Sequence, residues 1–189
     1  MADFENSCSD LVSVLQERYK GWEGAEQFGG TSERISRMYE EFCWPPERIK
    51  AELEKQFHVF SNGYDEMLVS GPSTVWTLCP HHLLPILLKV WIGYIPSGKV
   101  LGLSKFTRIA VIMGKRPIMQ EQYVDDLANI LMDKLKPKGV GVYIEGEHGC
   151  MMSRGIQQDQ SVSTSAQRGI FLDDASARAE FFAIVRGMK

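Results

Sequence analysis

The sequence predicts an α+β fold: an antiparallel sheet with two helices packed on it, preceded by N-terminal helices. Three observations indicate this class. About the first 60 of the 189 residues carry helical patterns, and the chain after them is rich in β-branched and aromatic runs. Two helical stretches then separate two pairs of predicted strands, an order typical of α+β proteins.

The N-terminal region predicts three helices. SDLVSVLQERYKGW has helical spacing of apolar residues such as Leu11 and Val14, with Ser9 as a candidate N-cap. Two glycines interrupt the chain, and a second helix, ERISRMYEEF, follows with Thr31 or Ser32 as its cap. A third helix, PPERIKAELEKQF, starts with proline, which the first helical turn tolerates.

The rest of the chain alternates between strands and helices. EMLVS, STVWTLC and ILLKVWIGYIP predict strands, and a turn at SGK leads to a short VLGL segment. SKFTRIAVIMG predicts a helix from Ser104, and MQEQYVDDLANILMDKLK predicts another with an apolar stripe at Val124, Leu127, Leu131 and Leu135. VGVYIEGEH and SVSTSAQRGIF predict two more strands, and DDASARAEFFAIVRGM predicts a terminal helix.

Length and composition limit the class of protein. We divide the chain into an N-terminal helical segment, 1–60, and one compact unit, 61–189. The net charge of −3 gives no general attraction to nucleic acid or to an anionic membrane, and prolines and Lys89 break the longest apolar run. The start, MADFENSCSD, lacks the basic and apolar regions of a signal peptide, so we expect a cytoplasmic protein.

The chain has four Cys and four His residues, and five of these eight lie in two short strings, CPHHLLP and EHGC. They are Cys79, His81, His82, His148 and Cys150. Such spacing favours a metal site. Zinc in catalytic sites takes three protein ligands and leaves the fourth position open for water. His148 and Cys150 are two residues apart in a predicted strand, so they would point to the same face of the sheet. The spacing leaves three alternatives open: a catalytic site, a structural four-ligand site, and a buried cluster without metal.

Basic residues in an acidic chain are candidate phosphate contacts. Ser104, Lys105 and Arg108 lie at a predicted helix start, where free N–H groups and the helix dipole favour anions. Further candidates are cations near other motifs, namely Arg34, Arg37 and Arg154. Gln120 and Glu121 head the long helix, and a carboxylate beside an amide suits the N–H edge of a purine.

These motifs carry a family resemblance. The chain resembles GTP cyclohydrolase I, through the Cys-x-His-His string, YIPSGKVLGLSKFTRI, RPIMQE, the His-x-Cys string with its following Arg-Gly, and TSAQRG. The resemblance covers most of the chain, from TSERISRMYEEF to the terminal helix. It implies the tunnelling fold, in which two antiparallel strand pairs flank two helices. It also implies GTP as the substrate, 7,8-dihydroneopterin triphosphate as the product, and a homodecamer of two pentameric rings with shared active sites.

The resemblance implies a role for each candidate residue. Cys79, His82 and Cys150 would hold Zn²⁺, with His81 and His148 transferring protons. Glu121 with Gln120 would hold the guanine ring. The triphosphate or ribose would be contacted by a polar and cationic set: Ser104, Lys105, Arg108, Arg154, Arg34 and Arg37. The chain departs from the family at Pro80, where Glu is usual, at Gly149, where a larger residue is usual, and at Trp91, where His is common.

Two other functions compete with this interpretation. A tunnelling-fold relative such as a deazaguanine reductase would need a nucleophilic cysteine and NADPH in place of bound zinc. A non-catalytic, zinc-stabilised oligomer that binds a nucleotide would carry the same ligand residues without turnover. Zinc content and conversion of GTP separate these alternatives.

Overall fold

The computed structural model describes residues 4–189, which form two compact units. The smaller unit ends at Trp44, and the larger unit is Pro45–Lys189. The predicted division of the chain between residues 60 and 61 stays a prediction.

The smaller unit is a helical pair. Helix α1, Phe4–Arg18, packs against α2, Thr31–Phe42, and a short 3₁₀ turn, Ala25–Phe28, lies between them in the chain. The ring of Phe4 stacks on that of Tyr39, with centroids 6.0 Å apart.

Three details of the predicted N-terminal helices are wrong. Ser9 lies inside α1 and does not cap it, because the helix already begins at Phe4. The buried stripe of α1 contains Cys8 and Val12, four residues apart, whereas Leu11 and Val14 are exposed. The N-cap of α2 is Gly30, in a left-handed conformation, so the hydroxyls of the two residues after it lie in the first turn and form no cap.

The larger unit contains the sheet and six further helices. In chain order its elements are α3 Pro46–Glu54, β1 Val59–Ser61, β2 Leu68–Leu78, β3 Pro85–Ile95, β4 Lys99–Leu101, α4 Leu103–Met113, α5 Gln120–Leu135, β5 Gly139–His148, α6 Gly149–Met152, β6 Ser161–Gly169, α7 Ile170–Asp173 and α8 Ala175–Gly187. The predicted order of a strand pair, two helices, a strand pair and a terminal helix is confirmed, and with it the tunnelling-fold class.

The main sheet has four antiparallel strands in the order β2-β3-β5-β6. Helix α4 packs on β2, and α5 packs on β5 and β6. Because successive strand residues face opposite sides, Val90 and Ile92 lie on one face of β3 and Trp91 lies on the other. Trp91 packs there with Phe171 and Phe181 from the C-terminal helices, so the central strand is buried on both faces.

The outer strands β2 and β6 form the two borders of the sheet. Within residues 4–189, each pairs with one neighbouring strand of the main sheet. Strand β2 runs unbroken through Gly71 and Pro72, with a register shift between Ser70 and Ser73, so two predicted segments are one bulged strand. The three-residue β1, which pairs with β4, was not predicted.

No helix among the described residues combines the length and apolarity needed to cross a bilayer.

Candidate active site

The CPHHLLP string forms the loop that joins β2 to β3. Leu78 pairs with Pro85 at the end of the two strands. The backbone N–H of Cys79 donates to Leu84 O at 2.9 Å, and the N–H of Leu83 donates to Cys79 O at 2.8 Å. These bonds fold the loop tightly, so Cys79 and His82 lie close together at one end of the sheet.

Sheet register brings the second string to the same place. Strand β5 pairs with β3 so that His148 lies opposite Ile86, and the next residues therefore reach the β2–β3 loop. A Cβ atom on Gly149 would lie 2.7 Å from Pro85 O, so glycine permits this close approach. Cys150 lies in the short helix α6, which corrects the prediction that a strand presents it.

Cys79, His82 and Cys150 form a candidate metal centre. One ligand atom from each lies within 4.8 Å of the others, and Cys79 Sγ is 3.4 Å from His82 Nδ1. Two thiols and one imidazole are a donor set that zinc prefers, and three ligands leave a tetrahedral position open. Burial raises the pKa of the Cys150 thiol, and the neighbouring Cys79 raises it further. A bound metal would oppose both effects, because a coordinating thiol is deprotonated.

Arg154 lies at the edge of this centre. Its Nη1 donates to His82 Nε2 at 3.0 Å. Arginine has donors only, so Nε2 accepts in this arrangement and Nδ1 carries the hydrogen that faces Cys79. The contact puts a permanent positive charge beside the metal ligands, where it is available to an anionic ligand.

The two remaining histidines differ in exposure and in their neighbours. His81 is exposed on the loop, with its ring centroid 6.2 Å from that of His82. His148 is half-buried at the end of β5; burial lowers its pKa, and the carboxylate of Glu121 acts in the opposite direction. His148 Nε2 is 2.8 Å from Gln120 Oε1.

The start of α5 is fixed against the end of β2. The backbone N–H of Ile118 donates to Leu78 O at 3.0 Å, and Thr77 Oγ1 donates to Arg116 O at 2.7 Å. These bonds place Gln120 inward, with 2% exposure, and Glu121 outward.

Glu121 lines an open pocket of about 430 Å³ along β6. Arg168 and Asp125, which form an ion pair, also line it. The sequence did not predict the bond between Gln120 and His148. The available signal was Gly146 in EGEH, two residues before His148, which leaves room for a side chain to approach β5.

The other candidate phosphate contacts lie on two helices, α4 and α2. Ser104, Lys105 and Arg108 lie on the first turns of α4, and Lys105 Nζ donates to Gln56 Oε1 at 3.2 Å. In the part of the chain that the structure describes, none of the three hydrogen-bonds to the metal-ligand group. Arg34 and Arg37 are exposed on α2 in the smaller unit.

The fold and the site define a tunnelling-fold protein with a Cys–His–Cys candidate metal centre between a hairpin loop and the end of a central strand. The GTP cyclohydrolase I family profile matches residues 8–186. GTP cyclohydrolase 1 of Aquifex aeolicus is 44% identical over 159 residues, covering 84% of each chain. That of Campylobacter curvus is 34% identical over 185 residues, covering 96% of this chain and 94% of the relative.

The chain therefore belongs to the GTP cyclohydrolase I family, a family of enzymes. Among solved structures, the apo QueF-Like archaeosine synthase aligns over 57% of this chain and 96% of its own, with a TM-score of 0.45 and 22% identity. A likeness of that size adds nothing to the assignment.

Proposed function

We propose that this chain is a zinc-dependent GTP cyclohydrolase I. It would open the imidazole ring of GTP by hydrolysis, release formate and rearrange the remainder to 7,8-dihydroneopterin triphosphate. The observation that best supports the proposal is the convergence of Cys79, His82 and Cys150, whose ligand atoms lie within 4.8 Å of one another. A protein with only a structural role would not need a three-ligand site with an open fourth position and two further histidines in the same two sequence strings.

The metal ligands would be Cys79, His82 and Cys150. When bound, zinc supplies a Lewis acid that activates water for the hydrolytic steps. A cytoplasmic setting belongs to the proposal, because a reducing compartment keeps the thiols of these ligands available.

The two histidines outside the ligand set would move protons. His81 would protonate the imidazole nitrogen as the purine ring opens, since it is exposed on the same loop as the ligand His82. His148 would assist proton transfer in a hydrolytic step and in the later rearrangement of the sugar. A positioned general acid or base typically contributes about 10²–10⁴-fold to the rate.

Glu121 would read the base. Its exposed carboxylate, at the start of α5, would accept hydrogen bonds from the N1–H and the 2-amino group of guanine. Adenine has an acceptor at N1 and no 2-amino group, so ATP would leave the carboxylate unpaired. Gln120 shares this role in the family resemblance.

Cationic and polar side chains would hold the triphosphate. Arg154 touches the metal-ligand group directly, through His82. The remaining set lies on α4 and α2: Ser104, Lys105, Arg108, Arg34 and Arg37. Because these segments are far apart in sequence, we propose that some residues come from a neighbouring subunit, in a homodecamer of two pentameric rings.

The deciding experiment is incubation of zinc-loaded protein with GTP, followed by oxidation and fluorescence detection of neopterin. Conversion of GTP but not ATP, together with loss of turnover on zinc removal and recovery on zinc return, is the expected result. Absence of neopterin from a zinc-replete, fully assembled preparation would reject the proposal. Oxidation of NADPH with a deazaguanine nitrile would instead indicate the reductase alternative.

A further inference from the structure

The amide of Gln120 is buried with all of its polar atoms engaged. The residue begins α5 and is 2% exposed. Its Nε2 donates to Val162 O at 2.9 Å and to Thr164 Oγ1 at 3.0 Å, both on β6. Its Oε1 lies 2.8 Å from His148 Nε2. The side chain therefore joins helix α5 to the last strand and to a histidine of the site.

The partners determine which way the amide points. The carbonyl of Val162 has lone pairs only, so the atom that faces it must be the amide nitrogen. A reversed amide would set two oxygens against each other. Oε1 must then face His148, and because this oxygen carries no hydrogen, His148 Nε2 must donate. In the neutral imidazole, the lone pair is consequently on Nδ1.

Strand β5 is shaped for this contact. Gly146 precedes His148 by two residues, so both face the same side of the sheet. A Cβ atom on Gly146 would lie 2.0 Å from Gln120 Oε1, far inside van der Waals contact. The amide oxygen thus occupies space that any other residue at 146 would fill.

We propose that Gln120 is a positioning residue: it holds His148 as the Nε2–H tautomer and leaves Nδ1 as the nitrogen available for proton transfer. This inference rests on the proposed function and differs from the guanine contact that the family resemblance implies for Gln120.

The test compares Gln120→Met with Gln122→Met in the zinc-loaded protein. Methionine keeps the side-chain length and removes the amide. Gln122 is exposed on the same helix, where it bonds to Asp126 at 2.6 Å, and serves as the matched control. Gln120→Met should lower kcat by about 10- to 100-fold, the scale of losing the orientation of a catalytic group. Zinc content and the KM for GTP should stay unchanged, and the control should match the parent.

Nitrogen-15 NMR of histidine-labelled protein reports which ring nitrogen of His148 carries the hydrogen. A purely structural role of Gln120 would not change this signal. The chain has four His residues, and His148→Gln assigns the signals of interest. At a pH where the ring is neutral, the parent should show a protonated Nε2 and an unprotonated Nδ1. Gln120→Met should show both tautomers. A protonated Nδ1 in the parent, or a raised KM with unchanged kcat in the variant, would overturn the proposal.

If Gln120→Met fails to fold, Gly146→Ala provides a second test of whether Gln120 positions His148. The added methyl must displace the amide oxygen, so the same mixture of tautomers and the same loss of kcat are expected. Parent-like signals and kcat in that variant would refute the positioning role. If the parent itself does not convert GTP, the proposed function fails, while the tautomer measurements still decide how Gln120 acts on His148.

Discussion

Replacing Cys150 with Ser is expected to remove the metal while leaving the fold in place. Cys150 is half-buried in a four-residue helix at the end of β5, so the change affects little packing. Four-ligand zinc sites in peptides bind with about 10–16 kcal/mol, or roughly 3–4 kcal/mol for each ligand. A hydroxyl is a poor replacement for a thiolate, so losing one of three ligands should weaken binding by roughly 10²–10³-fold.

The assay equilibrates parent and variant with chelator-buffered zinc, then measures zinc per chain by mass spectrometry and affinity by chelator competition. Cys43→Ser is the matched control, because Cys43 is also a half-buried free cysteine and lies outside the three-ligand group. The control should bind one zinc per chain like the parent, and circular dichroism should show all three proteins folded. Full zinc occupancy in Cys150→Ser at the same free zinc would refute the ligand assignment.

Four further changes probe other parts of the protein. His81→Ala should keep its zinc and lose about 10²–10⁴-fold in kcat. If mass spectrometry shows that this variant loses zinc, His81 is a metal ligand and not a proton carrier. Glu121→Gln should abolish the preference for GTP over ATP in calorimetric binding, and an unchanged preference would place the guanine contact elsewhere. Arg154→Ala should weaken GTP binding by roughly 10- to 100-fold and leave guanosine binding unaltered, since a charge-assisted phosphate contact is worth about 1.5–3 kcal/mol; equal losses for both ligands would contradict this. Phe181→Ala, in the fully buried cluster with Trp91, should lower the free energy of unfolding by about 3–5 kcal/mol in urea titrations, and a loss under 1 kcal/mol would show that the cluster collapses around the gap.

The sequence predicted the elements whose packing is local or strongly periodic. Helix α5 has its predicted stripe because Val124, Leu127 and Leu131 are buried at helical spacing. The predictions were wrong where contacts between segments distant in sequence determine which residues are buried. The buried face of α1 is set by α2, which selects Cys8 and Val12 over the residues beside them. No pattern within a single helix contains that information.

The sequence predicted which residues form the candidate site better than it predicted how they are arranged. The three residues that the family resemblance implied as metal ligands converge, although Cys150 reaches the cluster from a helix. Contrary to the prediction, Cys150 does not lie on a strand, because β5 ends at His148, where Gly149 lets the chain turn toward β3. The bond between Gln120 and His148 depends on how α5 docks between β5 and β6, which spacing along the chain does not encode.

The open borders of the sheet have a consequence for handling the protein. Strands β2 and β6 are eleven and nine residues long, and each offers a row of backbone N–H and C=O groups for pairing. Exposed borders of this length promote aggregation of isolated chains. If the proposed rings cover them, dilution or a substitution that loosens the rings should reduce solubility and turnover together. Precipitation in a variant would then report faulty assembly, even when every catalytic side chain is intact.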